Sequence, residues 1–249
     1  MFDGAWIGQL IAGILYLVIG IRLARLARQT GERPERLLSN MFFFTSISYV
    51  LYLIPLIFPI ESLWTPFNFA GRVAYLPAPI LVALFTRDVF RSGSRVSGFI
   101  VYATAVSLVV GVGGSAMVGD FEGFTLGNPF FWFEWVGYTF PFAWAGAEAF
   151  SQYYPSRRRQ RLGLCDRMTC NRLLLWGLFG LVQVALSLVL VQMYADYAVA
   201  HEFSALLDRV FGVLEMLALA PVWLVFFPPR FYQKFILGSD DRSSPVERS

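Results

Sequence analysis

Seven apolar stretches divide this chain, and each is long enough to cross a bilayer as a helix. A hydrocarbon core about 30 Å thick requires about 20 residues of apolar α-helix. The stretches are residues 5–24, 38–58, 67–90, 98–118, 130–151, 173–194 and 205–227. The pattern predicts an all-α fold: a polytopic membrane protein that forms a seven-transmembrane-helix bundle.

The connections between the stretches are short. The longest predicted connection, 152–172, is too short to fold as a separate soluble domain. We therefore predict a single transmembrane domain, residues 1–236, with no appended output module. The remaining residues, 237–249, are polar, carry charges of both signs and lack periodicity, which predicts a disordered cytoplasmic tail.

Arginine appears at every second connection, and this alternation predicts the orientation. All but two of the 20 cationic residues lie at the first, third and fifth connections or after the last stretch. They are Arg22, Arg25, Arg28, Arg33, Arg36, Arg87, Arg91, Arg95, Arg157, Arg158, Arg159, Arg161, Arg167, Arg172, Arg230, Lys234, Arg242 and Arg248. Because cationic loops stay in the cytoplasm, we predict an external N-terminus, a cytoplasmic C-terminus and insertion in a bacterial inner membrane.

Composition supports the membrane class and changes how the net charge is understood. The chain is 57% hydrophobic and only 15% charged, which is outside the range of soluble domains. The basic run 156–161 lies between two predicted spans, so it indicates topology and not nucleic-acid binding. The predicted partner is the lipid bilayer, and the net charge of +3 follows from the orientation.

Five ionisable residues inside the predicted spans are the candidate ligand-binding residues. Each costs about 2.5–3.5 kcal/mol at the bilayer centre, so such residues normally face the bundle interior and have a partner. With a rise of 1.5 Å per residue, four of them lie about 5–8 Å inside the outer end, and the fifth lies about 15 Å inside it, near the midplane. They are Arg72, Glu134, Asp208 and Arg209 in the outer leaflet and Glu215 at the midplane.

Two interpretations of these charges stay open. In the first, Arg72 and Arg209 are balanced by Glu134 and Asp208 in a structural clamp that fixes the helices against one another. In the second, the same side chains line an outward-opening polar pocket for a small ligand, a proton or an ion. Asp208 and Glu215 are seven residues apart and project from one helix face under either interpretation. Glu148, near the cytoplasmic end of its span, is expected to extend toward arginines there.

The sequence offers no motif for catalysis, a cofactor or a metal. His201 is the single histidine, which excludes a bis-His haem site and a multi-His metal site. No nucleophile motif, phosphate loop or dinucleotide fingerprint is present. Cys165 and Cys170 share a predicted cytoplasmic loop without a nearby histidine, so we expect two reduced thiols and not a zinc site. Catalytic activity is therefore not indicated.

Local patterns predict how the helices pack. Small residues recur every fourth position in the fourth stretch, at Ala103, Ser107, Gly111 and Ser115. Such a ridge lets another helix approach closely, either within the bundle or in a homodimer. Prolines predict local breaks, with Pro77 and Pro79 in the third stretch and Pro55, Pro141 and Pro221 in others.

Three segments, 20–28, 84–91 and 162–177, resemble a family of bacterial seven-helix membrane proteins of uncharacterised activity. The layout also resembles microbial rhodopsins, since Val213-Leu214-Glu215 is similar to the counterion stretch of their last helix. That resemblance implies the topology only. Leu219 stands where the retinal-binding lysine would follow, so a retinal Schiff base is excluded, and Tyr75 stands where an acidic proton acceptor would be expected.

These observations predict a receptor-like sensor or ligand-binding module that signals through a separate cytoplasmic or membrane partner. A first alternative is a small transporter or proton-coupled carrier in which Glu215 titrates. A second is an accessory subunit of a larger membrane complex, in which the small-residue ridge and the aromatic residues of the fifth stretch contact partners.

Overall fold

A computed structural model describes residues 5–58, 60–123, 125–200 and 204–237, which form nine helices and no strand. The helices are α1 (Ala5–Thr30), α2 (Arg33–Ile57), α3 (Glu61–Tyr75), α4 (Pro77–Phe90), α5 (Arg95–Met117), α6 (Pro129–Arg161), α7 (Arg167–Ala200), α8 (Ala205–Phe226) and α9 (Arg230–Leu237). The all-α prediction is confirmed. His201 and the predicted tail beyond residue 237 lie outside the described residues.

Within the described residues, six helical segments are long and apolar enough to cross a membrane, which indicates a multi-pass membrane protein. They are residues 8–30, 33–57, 61–90, 95–117, 167–200 and 205–226, where α3 and α4 together supply one segment. The remaining predicted span, 130–151, lies in α6. Its mean hydropathy is lowered by Glu134, Glu148 and several tryptophan and tyrosine side chains, so the seventh crossing stays a prediction.

The distribution of side chains also fits contact with lipid. Large apolar side chains cover the outer surface, as on α5, where Phe99 is 70% exposed and Val109 is 64% exposed. Polar and charged side chains are buried instead, and they are Ser39, Thr45, Ser46, Ser48, Asn68, Arg72, Thr86, Ser97, Thr104, Ser115, Asn128, Glu134, Glu148 and Glu215. An apolar exterior is unfavourable in water and matches the hydrocarbon of a bilayer.

Small residues let consecutive helices pack closely in antiparallel pairs. The Ser39 hydroxyl of α2 donates to the Gly20 carbonyl of α1 at 2.9 Å, and the Ser46 hydroxyl donates to the Gly13 carbonyl at 2.9 Å. The last long helix, α8, packs against both α7 and α1. The bundle is therefore closed, with the first and last long helices side by side.

The small-residue ridge of α5 packs against α6 within the same chain. A Cβ atom at Gly111 would lie 2.5 Å from the backbone nitrogen of Glu134, so only glycine fits there. The Ser107 hydroxyl donates to the Phe133 carbonyl at 2.5 Å, and Ser115 is fully buried. Of the two interpretations of this ridge, the intrachain contact is the one formed.

The predicted break at Pro77 is present and separates α3 from α4. The Leu76 amide bonds to the Val73 carbonyl at 3.3 Å, and the Arg72 carbonyl accepts from the Tyr138 hydroxyl at 3.4 Å. The Tyr138 hydroxyl thus gives a hydrogen bond to the Arg72 carbonyl, which has lost its helical partner at the break. Such a partner is needed because hydrocarbon offers no water to bond an exposed carbonyl. The breaks predicted elsewhere do not occur, because Pro55, Pro141 and Pro221 lie inside continuous helices.

Several helices extend beyond the predicted spans at the end of the bundle that carries the arginines, which we call the arginine end. There α6 continues to Arg161 and α7 begins at Arg167, so residues 162–166 alone connect them. Hydropathy marks the hydrocarbon edge, and a helix can continue past it while its arginines reach water, so the predicted connection 152–172 between spans is largely helical. The short helix α9 also lies at this end and was not predicted.

Candidate functional site

Arg72 and Glu134 form a buried ion pair between α3 and α6. The Arg72 Nε donates to Glu134 Oε1 at 3.1 Å, and Nη2 pairs with Oε2. Arg72 is 5% exposed and Glu134 is 7% exposed. This two-point geometry is the strong form of an arginine–carboxylate contact. The predicted pairing of these two charges across helices is confirmed.

The connection between α5 and α6 covers the other edge of the Arg72 guanidinium. Its Nη1 donates to the main-chain carbonyls of Asp120 at 3.1 Å and Phe121 at 2.6 Å. Gly123 has a φ of 75°, and a Cβ atom there would lie 2.5 Å from the guanidinium carbon. Glycine is therefore required both by the backbone conformation and by the contact.

Side-chain hydrogen bonds hold this connection in place. Asp120 Oδ1 accepts from the Gly123 amide at 2.9 Å, and Oδ2 accepts from Asn128 Nδ2 at 3.0 Å. The Thr65 hydroxyl of α3 donates to Glu122 Oε1 at 2.9 Å. The carbonyls of Asp120 and Phe121 thus face Arg72 in a defined turn, and we call residues 118–123 and 125–128 the capping loop.

A polar recess of about 390 Å³ opens beside the capping loop. It is lined by Thr65, Val118, Gly119, Asp120, Phe121, Glu122, Thr125 and Asn128. Asp120 and Phe121 therefore line the recess while their carbonyls contact Arg72.

Glu215 occupies a second, separate polar centre in the middle of α8. It is 4% exposed, and its Oε1 accepts from the Tyr49 hydroxyl of α2 at 2.6 Å. Tyr16 of α1 packs edge-on against Tyr49, and Tyr16 and Tyr75 both lie near the carboxyl. No cation forms an ion pair with Glu215 among the described residues.

Tyrosines fill the space between the two centres. The Tyr75 and Tyr138 rings lie 5.2 Å apart, and the Tyr138 hydroxyl donates to the Arg72 carbonyl. Sequence reasoning missed these tyrosines as partners of the charges. Their positions inside spans, away from the interfacial belt where tyrosine is usual, were the available signal.

Asp208 and Arg209 do not join the Arg72–Glu134 pair. Asp208 is half-buried and Arg209 is exposed, and neither forms an ion pair within the part of the chain that the structure describes. The five candidate residues therefore do not share one pocket. The expected balance of Arg209 by a carboxylate is not formed there, because Arg209 faces away from the bundle.

At the arginine end, acidic side chains pair with arginines. Glu148 Oε1 accepts from Arg91 Nε at 2.8 Å and from Trp144 Nε1 at 3.1 Å, which confirms that Glu148 extends toward arginine. Asp88 pairs with Arg33 at 3.1 Å and also with Arg87. Other exposed arginines at this end form no ion pair among the described residues, and they include Arg25, Arg28, Arg95, Arg157, Arg158, Arg159 and Arg161.

The two cysteines are free thiols with their sulfur atoms 3.6 Å apart. Among the described residues, no group of three or more histidine, cysteine, aspartate and glutamate side chains is placed to hold a metal ion. No protein-family model, curated protein or solved structure matches this chain.

Proposed function

We propose that the chain is a seven-span sensor or ligand-binding module of a bacterial inner membrane, with an external N-terminus and a cytoplasmic C-terminus. The alternation of arginine-rich and acidic connections supports this orientation. Contacts of α6 with α4, α5 and α7 support a seventh crossing, because a helix surrounded by other helices needs less apolar surface.

The observation that carries the binding role is the capping of Arg72 by main-chain carbonyls beside a polar recess. A carboxylate or phosphate offers a stronger partner to the guanidinium edge than the neutral carbonyls of Asp120 and Phe121 do. The carboxylates of Asp120 and Glu122 line the same recess and favour an ammonium group. The ligand class that fits both features is a small zwitterion.

Binding at this edge also provides a signal. A ligand that replaces the two carbonyls must displace the capping loop, which joins α5 to α6 directly. In this proposal, the response passes from the capping loop to a separate partner. The exposed arginines at the arginine end are the surface we assign to that contact.

A thermal-unfolding screen tests the binding site. Purified wild-type protein and the Glu134→Gln variant are heated with amino acids, matched carboxylates that lack the amine, and matched amines that lack the acid. We expect a zwitterion to raise the wild-type unfolding temperature by several degrees. The variant, in which Arg72 loses its charged partner and the loop contacts change, should respond differently to the same compound. Identical responses in both proteins to every compound would contradict the assignment of this site.

The Glu215–Tyr49 hydrogen bond favours a second candidate, a proton-coupled carrier. A carboxyl in the middle of a span is typical of proton pathways, and Tyr49 holds this one toward the bundle interior. Reconstituted protein should then carry protons into liposomes with an internal pH dye, and Glu215→Gln should abolish the flux. Equal proton flux in both proteins would contradict this role.

The alternative of an accessory subunit is weakened, because the small-residue ridge of α5 packs against α6 within the chain.

A further inference from the structure

The short helix α9 presents a two-sided exposed face at the arginine end. Four of its residues are exposed: Arg230, Phe231, Lys234 and Phe235. Phe231 is 74% exposed and Phe235 is 80% exposed. At about 100° per residue, the four side chains share an arc of about 140°, with the cations along one edge and the rings along the other.

The opposite face of α9 is attached to the first turns of α7. The Tyr232 hydroxyl donates to Asn171 Oδ1 at 3.0 Å, and Arg167 Nη1 donates to the Leu237 carbonyl at 3.1 Å. These bonds fix the side of the helix that faces the bundle. The exposed rings and cations therefore belong to an ordered surface.

The position of α9 along the bundle indicates what kind of partner its exposed face contacts. The apolar helix α8 ends at Phe226, and α9 begins four residues later, so its exposed face lies at the depth where headgroups meet hydrocarbon. The end of α6 adds exposed arginines to the same end of the bundle, namely Arg158, Arg159 and Arg161. Two large rings in water are unfavourable, whereas rings beside cations match an anionic lipid surface.

We infer that α9 is an interfacial helix that binds the anionic phospholipids of the leaflet at the arginine end. Arg230 and Lys234 contact the lipid phosphates, and Phe231 and Phe235 insert between the upper acyl segments. This surface is separate from the Arg72 site, so it stands whether or not a ligand binds there.

Lys234 is the only lysine in the chain and therefore reports on this face. Full-length protein is reconstituted in phosphatidylcholine vesicles, with or without about one third phosphatidylglycerol. Acetylation of Lys234 by an uncharged reagent is followed by mass spectrometry. We expect acetylation to be about fivefold slower in the anionic vesicles, since one cation near such a surface is stabilised by about that factor.

Two double variants separate helix insertion from bulk electrostatics. Phe231→Ala with Phe235→Ala keeps both cations and should lose most of the difference between the vesicle types. Phe99→Ala with Tyr102→Ala removes two equally exposed rings from α5 and should keep it. Equal acetylation rates in both vesicle types, or a difference that persists without Phe231 and Phe235, would overturn the inference. Strong protection in detergent as well would indicate a protein contact and would also overturn it.

Discussion

Replacing Glu134 with leucine is expected to lower the free energy of unfolding by about 3–5 kcal/mol. The substitution leaves the Arg72 guanidinium buried at 5% exposure with no anion, and its Nη1 contacts to two neutral carbonyls do not balance the charge. Arg72→Leu should cost a similar amount, because it leaves the Glu134 carboxylate unpaired. Unfolding in mixed micelles by titration with sodium dodecyl sulfate gives these free energies.

The double variant distinguishes a charge pair from two separate packing effects. With both charges removed, the loss should be smaller than the sum of the single losses by at least about 2 kcal/mol. Arg33→Leu is the matched control, because Arg33 pairs with Asp88 while its side chain is 62% exposed, and it should cost about 1 kcal/mol or less. Additive losses, or single variants no worse than the control, would refute the buried pair.

A large loss of unfolding free energy in the Arg72 and Glu134 variants affects how the binding proposal can be tested. Arg72 stabilises the fold through Glu134 and also carries the edge that we assign to the ligand. Glu134→Gln keeps the shape of the side chain and an acceptor for Arg72, so it suits the ligand screen better than a truncation of Arg72. In our proposal, the clamp and the pocket use different edges of the Arg72 guanidinium.

The Arg72–Glu134 pair could be predicted because helix geometry fixes depth. A constant rise of 1.5 Å per residue places both residues at about the same depth from their predicted span ends alone. Opposite charges at one depth in hydrocarbon are expected to pair, because an unpaired charge there is costly. Depth does not give the direction in which a side chain points, however. Arg209 lies at a similar depth and faces outward, so its predicted partner was wrong.

The partner of Glu215 could not be predicted, because it depends on how α2 and α8 pack. Tyr49 is 166 positions away in the chain, and a hydropathy scale gives tyrosine an intermediate value that does not mark it as the partner of a charge.

The contacts of the capping loop could not be predicted for a different reason. Its contacts to Arg72 are main-chain carbonyls, which no side-chain pattern reveals, although Asp120, Gly123 and Asn128 are residues typical of a tight turn.

The α5–α6 contact leads to a second large effect, at Gly111. Gly111→Ala is expected to cost about 1–3 kcal/mol, because the added Cβ would lie 2.5 Å from the Glu134 nitrogen and 2.7 Å from its Cα. Backbone atoms cannot rotate away, so α6 must shift as a whole. That shift moves Glu134 relative to Arg72, and the variant should weaken the ion pair as well as the helix contact.

Gly113 on the same helix provides the control, since a Cβ there meets nothing within 4 Å. Gly113→Ala should leave stability unchanged or raise it by up to about 1 kcal/mol, because alanine is the better helix former. Each variant adds one methyl group to a glycine of α5, and the two positions are two residues apart. Composition and helix propensity therefore cancel in the comparison. Equal unfolding free energies for both would contradict the close approach of α5 and α6. A loss at Gly111 that is smaller once Arg72 and Glu134 are both leucine would show that the ridge positions the ion pair.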